Sequence, residues 1–105
     1  MNQPYAARFS AMNWESPVPK VRRKLHRVGK RQLRVVEFER GLAHPEWCTT
    51  GHVGYVLEGR LALEFDHETL EFGPSDGFIV PDGEGSRHRP IPLTDRVLLV
   101  LSEQI

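Results

Sequence analysis

The chain has 105 residues, 39% of them hydrophobic and 27% charged, with a formal net charge of zero. That length supports one domain able to bury roughly two-thirds of its unfolded surface, and the composition excludes a disordered chain. No apolar run approaches the roughly 18 residues of a membrane span, Met1–Ser10 holds no apolar secretory segment, and a lone cysteine excludes an internal disulfide, so the expectation is a cytoplasmic protein without membrane contact.

The zero balance conceals a division. Up to Arg34 there are nine Lys and Arg against a single acid, Glu15; beyond it five basic residues face thirteen acidic ones. A basic front and an acidic body attract one another within a chain or between two copies. Nucleic acid is the weaker expectation, because no recognition motif accompanies the charge.

Residues 1–20 lack a period. Pro4, Pro17 and Pro19 break any long element, while Tyr5, Phe9, Met12 and Trp14 offer apolar anchors. This stretch reads as an arm packed on the body or on a partner subunit, with residues 21–105 as the single domain. Val21, Leu25 and Val28 sit at helical spacing, but Gly29-Lys30 equally serves as a hairpin turn joining Val21–Val28 to Arg31–Arg40. The β-rich run from Leu33 to Glu39 favours the hairpin, with a bulge expected at Val35-Val36.

Glu46, Cys48 and His52 follow at even spacing. In an extended strand positions 46 and 48 share a face, and 52 joins it if the strand continues past Gly51. Carboxylate, thiolate and imidazole are all metal donors. From there the chain is strands and turns: Gly54–Leu57, a turn at Glu58-Gly59, Arg60–Phe65 in alternation, a polar loop at Asp66–Thr69, then Leu70–Phe72. Phe78–Val80 is closed by the turn signal Pro81-Asp82-Gly83. Arg96–Leu101 is apolar enough to be buried on both faces. Short strands at regular spacing with Gly and Pro turns indicate an all-β sandwich or small barrel.

Laid out this way, residues 41–101 resemble the cupins, whose fold is a double-stranded β-helix, or jelly-roll barrel. The first cupin motif reads His-x-His, three or four residues, Glu, six residues, Gly. Counting back from Gly59, the glutamate position falls on His52 and, at the three-residue spacing, the histidine positions fall on Cys48 and Glu46. The four-residue spacing lands on Pro45 and Trp47, which cannot ligate. The second motif places Pro81-Asp82-Gly83 directly, puts Ser75 at its first glycine and Ser86 at its histidine, with His88 two residues on; its asparagine is not filled. Tyr55–Gly59 and Asp76–Pro81 resemble the family's strand text.

The resemblance implies a metal held by Glu46, Cys48, His52 and His88, and the sulfur favours zinc, with iron or nickel behind it, against no metal at all. Beside these roles stand ordinary ones: Cys48 as a small core hydrophobe, Glu46 as a surface carboxylate, the histidines as hydrogen-bonded structural groups. Trp47 is expected to face outward against the arm, and His26, His44 and His67 to be exposed. Arg87, Arg89 and Tyr55 are the candidates for holding a small polar or acidic molecule at the barrel mouth, the arginines through forked hydrogen bonds. The function so implied is a small cupin of unassigned activity binding a divalent metal and a small molecule, against a non-catalytic ligand- or metal-sensing module; fold alone does not choose. A cysteine nucleophile lacks a third orienting group at a telling spacing. A homodimer is expected, as cupins often pair through outer sheets and N-terminal strands.

Overall fold

The computed structural model describes residues 4–43 and 46–105, which form two antiparallel sheets. The strands are β1 (Glu15–Val18), β2 (Val21–Val28), β3 (Arg31–Glu39), β4 (His52–Glu58), β5 (Leu61–Glu64), β6 (Thr69–Phe72), β7 (Gly77–Val80), β8 (Arg89–Pro92) and β9 (Arg96–Gln104). One sheet runs β1-β2-β3-β9-β4-β7 and the other β6-β5-β8. The last strand therefore sits in the middle of the larger sheet, between β3 and β4.

Period-two alternation decides which side chains face inward. On β9 these are Val97, Leu99, Leu101 and Glu103, all buried. The register Val36↔Leu99 and Val56↔Leu99 lays Val36, Leu99 and Val56 in one row across three strands. Gln32↔Glu103 and Val53↔Ser102 put Gln32, Glu103 and His52 in another row nearer the far end of the strands. From the smaller sheet Leu61 and Leu63 close over this face, and Val36, Phe38, Leu61, Leu63, Val80, Val97, Leu99 and Leu101 make one core.

Several expectations change on contact with this register. β9 is not buried on both faces: Leu98 and Val100 are only half-buried on the outer side of the larger sheet, so burial follows the alternation and not the apolar run. No bulge occurs at Val35-Val36, where pairing with Arg23 and Lys24 is continuous; the irregularities lie in β1 and between Val56 and Glu58. The hairpin between β2 and β3 turns at Gly29, whose φ of 58° is the left-handed conformation that glycine adopts without cost. β8 is absent from the sequence reading because Pro90 and Pro92 argue against a strand. It survives as an edge, pairing only with β5, where the missing N–H groups can be tolerated.

The arm is in contact with the body. Phe9–Ala11 forms a single 3-10 turn, β1 joins the edge of the larger sheet, and Trp14 lies under Arg22 and Lys24 at 4.4 and 4.7 Å from its ring centre. Lys24 Nζ donates to the Phe9 carbonyl at 2.9 Å. His26 is half-buried, not exposed, with Nε2 2.6 Å from the Pro4 carbonyl; His67 is exposed, and His44 lies outside the described residues. Part of the charge division closes internally: Arg22 Nε meets Glu37 Oε1 at 2.7 Å, and Arg34 Nε meets Glu103 Oε1 at 2.5 Å.

Gly54 is required by close approach, since a β-carbon there would collide with the ring of Phe78 on β7. Gly54→Ala should cost about 1–3 kcal/mol by forcing that ring aside. Gly85→Ala, where a β-carbon meets nothing within 4 Å, should stay within about 0.5 kcal/mol. Urea midpoints compare the two, and equal midpoints would contradict the packing.

Candidate metal centre

The sequence spacing suggested that Glu46, Cys48 and His52 share a face of one strand. The chain does something else. Residues 46–51 form no strand, and only Cys48 pairs, through an isolated antiparallel bridge to His88. The two backbone bonds are Cys48 N–H to the His88 carbonyl at 2.8 Å and His88 N–H to the Cys48 carbonyl at 3.0 Å. Gly51 then turns the chain into β4, donating its N–H to Asp82 Oδ1 at 2.6 Å against backbone so near that a β-carbon would clash. His52 opens β4 facing inward. Cys48 and His52 converge because of this turn, not because of a pleat.

Glu46 is exposed and lies outside the cluster, which among the described residues consists of Cys48, His52 and His88. It lines a separate hollow with Val18, Lys20 and Leu42. The shift of histidine from position 86 to 88 is absorbed by a single 3-10 turn, Glu84–Ser86, which delivers His88 to the bridge with 3% of its surface exposed.

The donor atoms of Cys48, His52 and His88 all lie within 4.8 Å of one another. Cys48 Sγ is 3.6 Å from His52 Nε2. Zinc–sulfur and zinc–nitrogen bonds of tetrahedral geometry set S and N about 3.5 Å apart, so this pair is already spaced for such an ion. His88 Nδ1 is 2.9 Å from the Ser86 carbonyl, which can only accept, so that nitrogen carries the proton and Nε2 keeps its lone pair. His88 Nε2 is buried without a hydrogen-bond partner. A buried orphan nitrogen beside a thiol and a second imidazole fits a metal, because ligation satisfies it.

His52 is oriented by a carboxylate that the sequence reading missed. Its Nδ1 lies 2.5 Å from Glu103 Oε2, off the N–H direction, so the contact is an ion pair more than an aligned hydrogen bond. Facing a carboxylate at that distance, Nδ1 must be the protonated nitrogen. Glu103 has only 4% of its side chain exposed and is held by Gln32 Nε2 at 2.5 Å and by Arg34 Nη2 at 2.9 Å. Burial alone would raise its pKa, but His52 and Arg34 hold it down at about 2. The neighbouring imidazole of His52, and after it that of His88, hold the Cys48 thiol well below its ordinary value, at about 5. Burial opposes charge on His52, yet Cys48 and Glu103 outweigh it and raise the imidazole to about 9. Without a metal the arrangement is a thiolate beside an imidazolium.

Behind these groups lies a cavity of about 170 Å³ between the sheets. Its walls are Val36, Phe38, Leu61, Leu63, Leu99 and Leu101, with Cys48, His52, His88 and Arg34 as its polar groups. Arg34 was the other omission. Both missed residues carry a signal in hindsight, being charged side chains on the inward register of strands whose other inward residues, Gln32 apart, are apolar.

The ligand-holding residues expected at the mouth sit elsewhere. Tyr55 projects from the outer face of β4, half exposed. Arg87 Nε donates to Asp66 Oδ1 at 2.8 Å, and Arg89 Nε to its cross-strand neighbour Glu64 Oε1 at 2.5 Å. Both guanidinium groups cover Trp47, at 4.8 and 4.2 Å from its ring centre, so Trp47 packs beneath these arginines and not against the arm. Their inward neighbour His88 takes the site; strand alternation turns them away from it.

No protein-family model matches the sequence, and no curated protein matches it. Solved structures do. KdgF from Halomonas sp. superposes with a TM-score of 0.78 at 22% identity, covering 91% of this chain and 90% of that one. An RmlC-like cupin from Shewanella frigidimarina gives 0.79 at 17% identity over 95% and 89%. The cupin domain of Schizosaccharomyces pombe Cnp3 gives 0.75 at 15% identity over 95% and 68%. With two antiparallel sheets, this strand order and these neighbours, the chain has the fold of a small cupin.

Proposed function

We propose that this chain binds one divalent metal ion through Cys48, His52 and His88, and that the ion takes a small molecule from the adjoining cavity. The observation that carries the reading is the orphaned, buried Nε2 of His88 beside a thiolate and an imidazole whose outer nitrogen is fixed by Glu103. A soft sulfur with two imidazoles favours zinc over iron or nickel. Among the described residues no fourth side-chain donor joins the cluster, which supports a coordination position available to a ligand. When bound, zinc supplies Lewis acidity and lowers the pKa of coordinated water. The protein's own part is to fix the imidazole tautomers, through Glu103 and the Ser86 carbonyl, and to surround the position with hydrocarbon. A structural zinc would instead have its fourth position closed by protein.

Protein purified without a metal-affinity tag should carry one equivalent of zinc by elemental analysis, and Cys48→Ala and His88→Ala should each lose it. Glu103→Gln should retain the cluster but weaken zinc about 10–100-fold in competition with a chromophoric chelator. Protons compete for sulfur and imidazole, so occupancy should fall as pH is lowered. Metal undiminished in both Cys48→Ala and His88→Ala would refute the assignment.

A second reading is favoured by one specific observation. Cys48, His52 and Glu103 stand in line as nucleophile, base and orienting carboxylate, the third group being the one the sequence did not show. The metal-free thiol should alkylate with iodoacetamide at a rate that rises through about pH 5 and is flat thereafter. An unperturbed thiol would instead climb through about pH 8.5. Zinc should suppress the reaction at least about tenfold if sulfur is a ligand; equal rates with and without zinc favour the nucleophile.

Self-association is supported by the outer face of the larger sheet. Val53, Tyr55 and Ile79 are exposed there, Ile79 by 81%, beside half-buried Leu98 and Val100. Light scattering should give about twice the 12.0 kDa chain mass, and Ile79→Asp should return it to one. A wild-type mass of one chain at micromolar concentration would exclude the pairing.

A further inference from the structure

We infer that the small molecule taken by this site is a compact monocarboxylate with an unsubstituted hydrocarbon body of about benzene size. The inference rests on the metal reading above and narrows its ligand.

Size comes first. The cavity measures about 170 Å³, and a dry apolar cavity of about 150 Å³ is known to hold benzene. Room therefore exists between the walls for a ring or a short branched chain.

The walls exclude most polar molecules of that size. Val36, Phe38, Leu61, Leu63, Leu99 and Leu101 offer hydrocarbon only. A hydroxyl laid against them loses its water without gaining a partner, which weakens binding by about tenfold or more per group. The expectation of a polar ligand held by Arg87, Arg89 and Tyr55 is replaced by an apolar body, with polarity confined to one end.

Charge then sets the head group. At that end stand Cys48 as thiolate and Arg34 as guanidinium, whose side chain is only 18% exposed, with the Glu103 carboxylate directly behind His52 and Arg34. A divalent ion added to these, with both imidazoles neutral, leaves one positive charge in excess. Buried charge seeks a partner of equal magnitude. A single carboxylate balances it; a neutral alcohol leaves it unmet and a dicarboxylate overshoots. Arg34 is already engaged by Glu103 through Nε and Nη2, so it contributes to the field and to one face of the anion and does not act as a free fork.

The test is calorimetric titration of the zinc-loaded full chain with four probes: benzoate, benzyl alcohol, phthalate and glycerate. Benzoate should bind at least about tenfold more tightly than each of the others. Leu63→Phe, which fills the cavity away from the ligating atoms, should abolish benzoate binding and leave zinc content at one equivalent. Arg34→Met should weaken benzoate at least about tenfold. Should Leu63→Phe fail to fold, the ranking of the four probes on the wild-type chain still decides. Benzoate no tighter than glycerate on protein holding one zinc overturns the inference and leaves the metal reading intact. Protein that takes up no zinc overturns both.

Discussion

The carboxylate of Glu103 is the constraint on which the interior depends. It is a charge taken out of water near the end of a central strand, and such a group is tolerable only when its partners are supplied by the protein. Here they come from both neighbouring strands: Gln32 and Arg34 from β3, and His52 from β4. These three partners can reach one carboxylate only if β3, β9 and β4 hold their present register. A slip of one residue in either pairing would turn Glu103 or its partners to the opposite face. The same ion cluster therefore specifies strand alignment and fixes the imidazole of His52.

A second tie joins the two sheets at the same end. β8 belongs to the smaller sheet, and the residue just before it, His88, bridges to Cys48, which precedes β4 of the larger one. The bridge is two backbone hydrogen bonds long, yet it sets a thiol against an imidazole. Each imidazole has its outer nitrogen occupied, one by a carboxylate and one by a backbone carbonyl, so each turns its other nitrogen into the cluster with the sulfur. The preparation resides in the supports, and those supports are strand register and one short turn.

This explains what could be read from the chain and what could not. The strands of the later half are local: alternation and turn residues place Leu61, Leu63 and Phe78–Val80 without reference to the rest of the molecule. Motif spacing likewise brought Cys48, His52 and His88 forward, though the reason offered for two of them, a common pleat, was mistaken. Glu46 was included on that pleat and lies outside the cluster because residues 46–51 never become a strand. Glu103 and Arg34 lie outside the motifs and reach the site only through strand pairing, Arg34 and Gln32 standing 69 and 71 residues from the carboxylate that they hold. Arg87 and Arg89 misled for the opposite reason. Adjacency to His88 suggested a shared site, whereas alternation sends a residue's immediate neighbours to the other face. The outward run of β9 misled too, since an apolar residue in sequence does not say whether its cover is the same chain or another.

The position of Arg34 also bears on the two chemistries proposed for the site. Without metal, the thiolate and Glu103 are offset by the imidazolium of His52 and the guanidinium of Arg34, and the cavity end is neutral. A divalent ion held by Cys48, His52 and His88 would require His52 neutral, so two charges would replace one and the balance would be positive by a single unit. On those proposals the metal-free state would suit a neutral occupant and the metal-bound state an anion. One set of side chains is compatible with either chemistry, and the charge required of the occupant distinguishes them. Hydrocarbon walls sharpen the distinction, because they offer an unmatched charge no partner of their own.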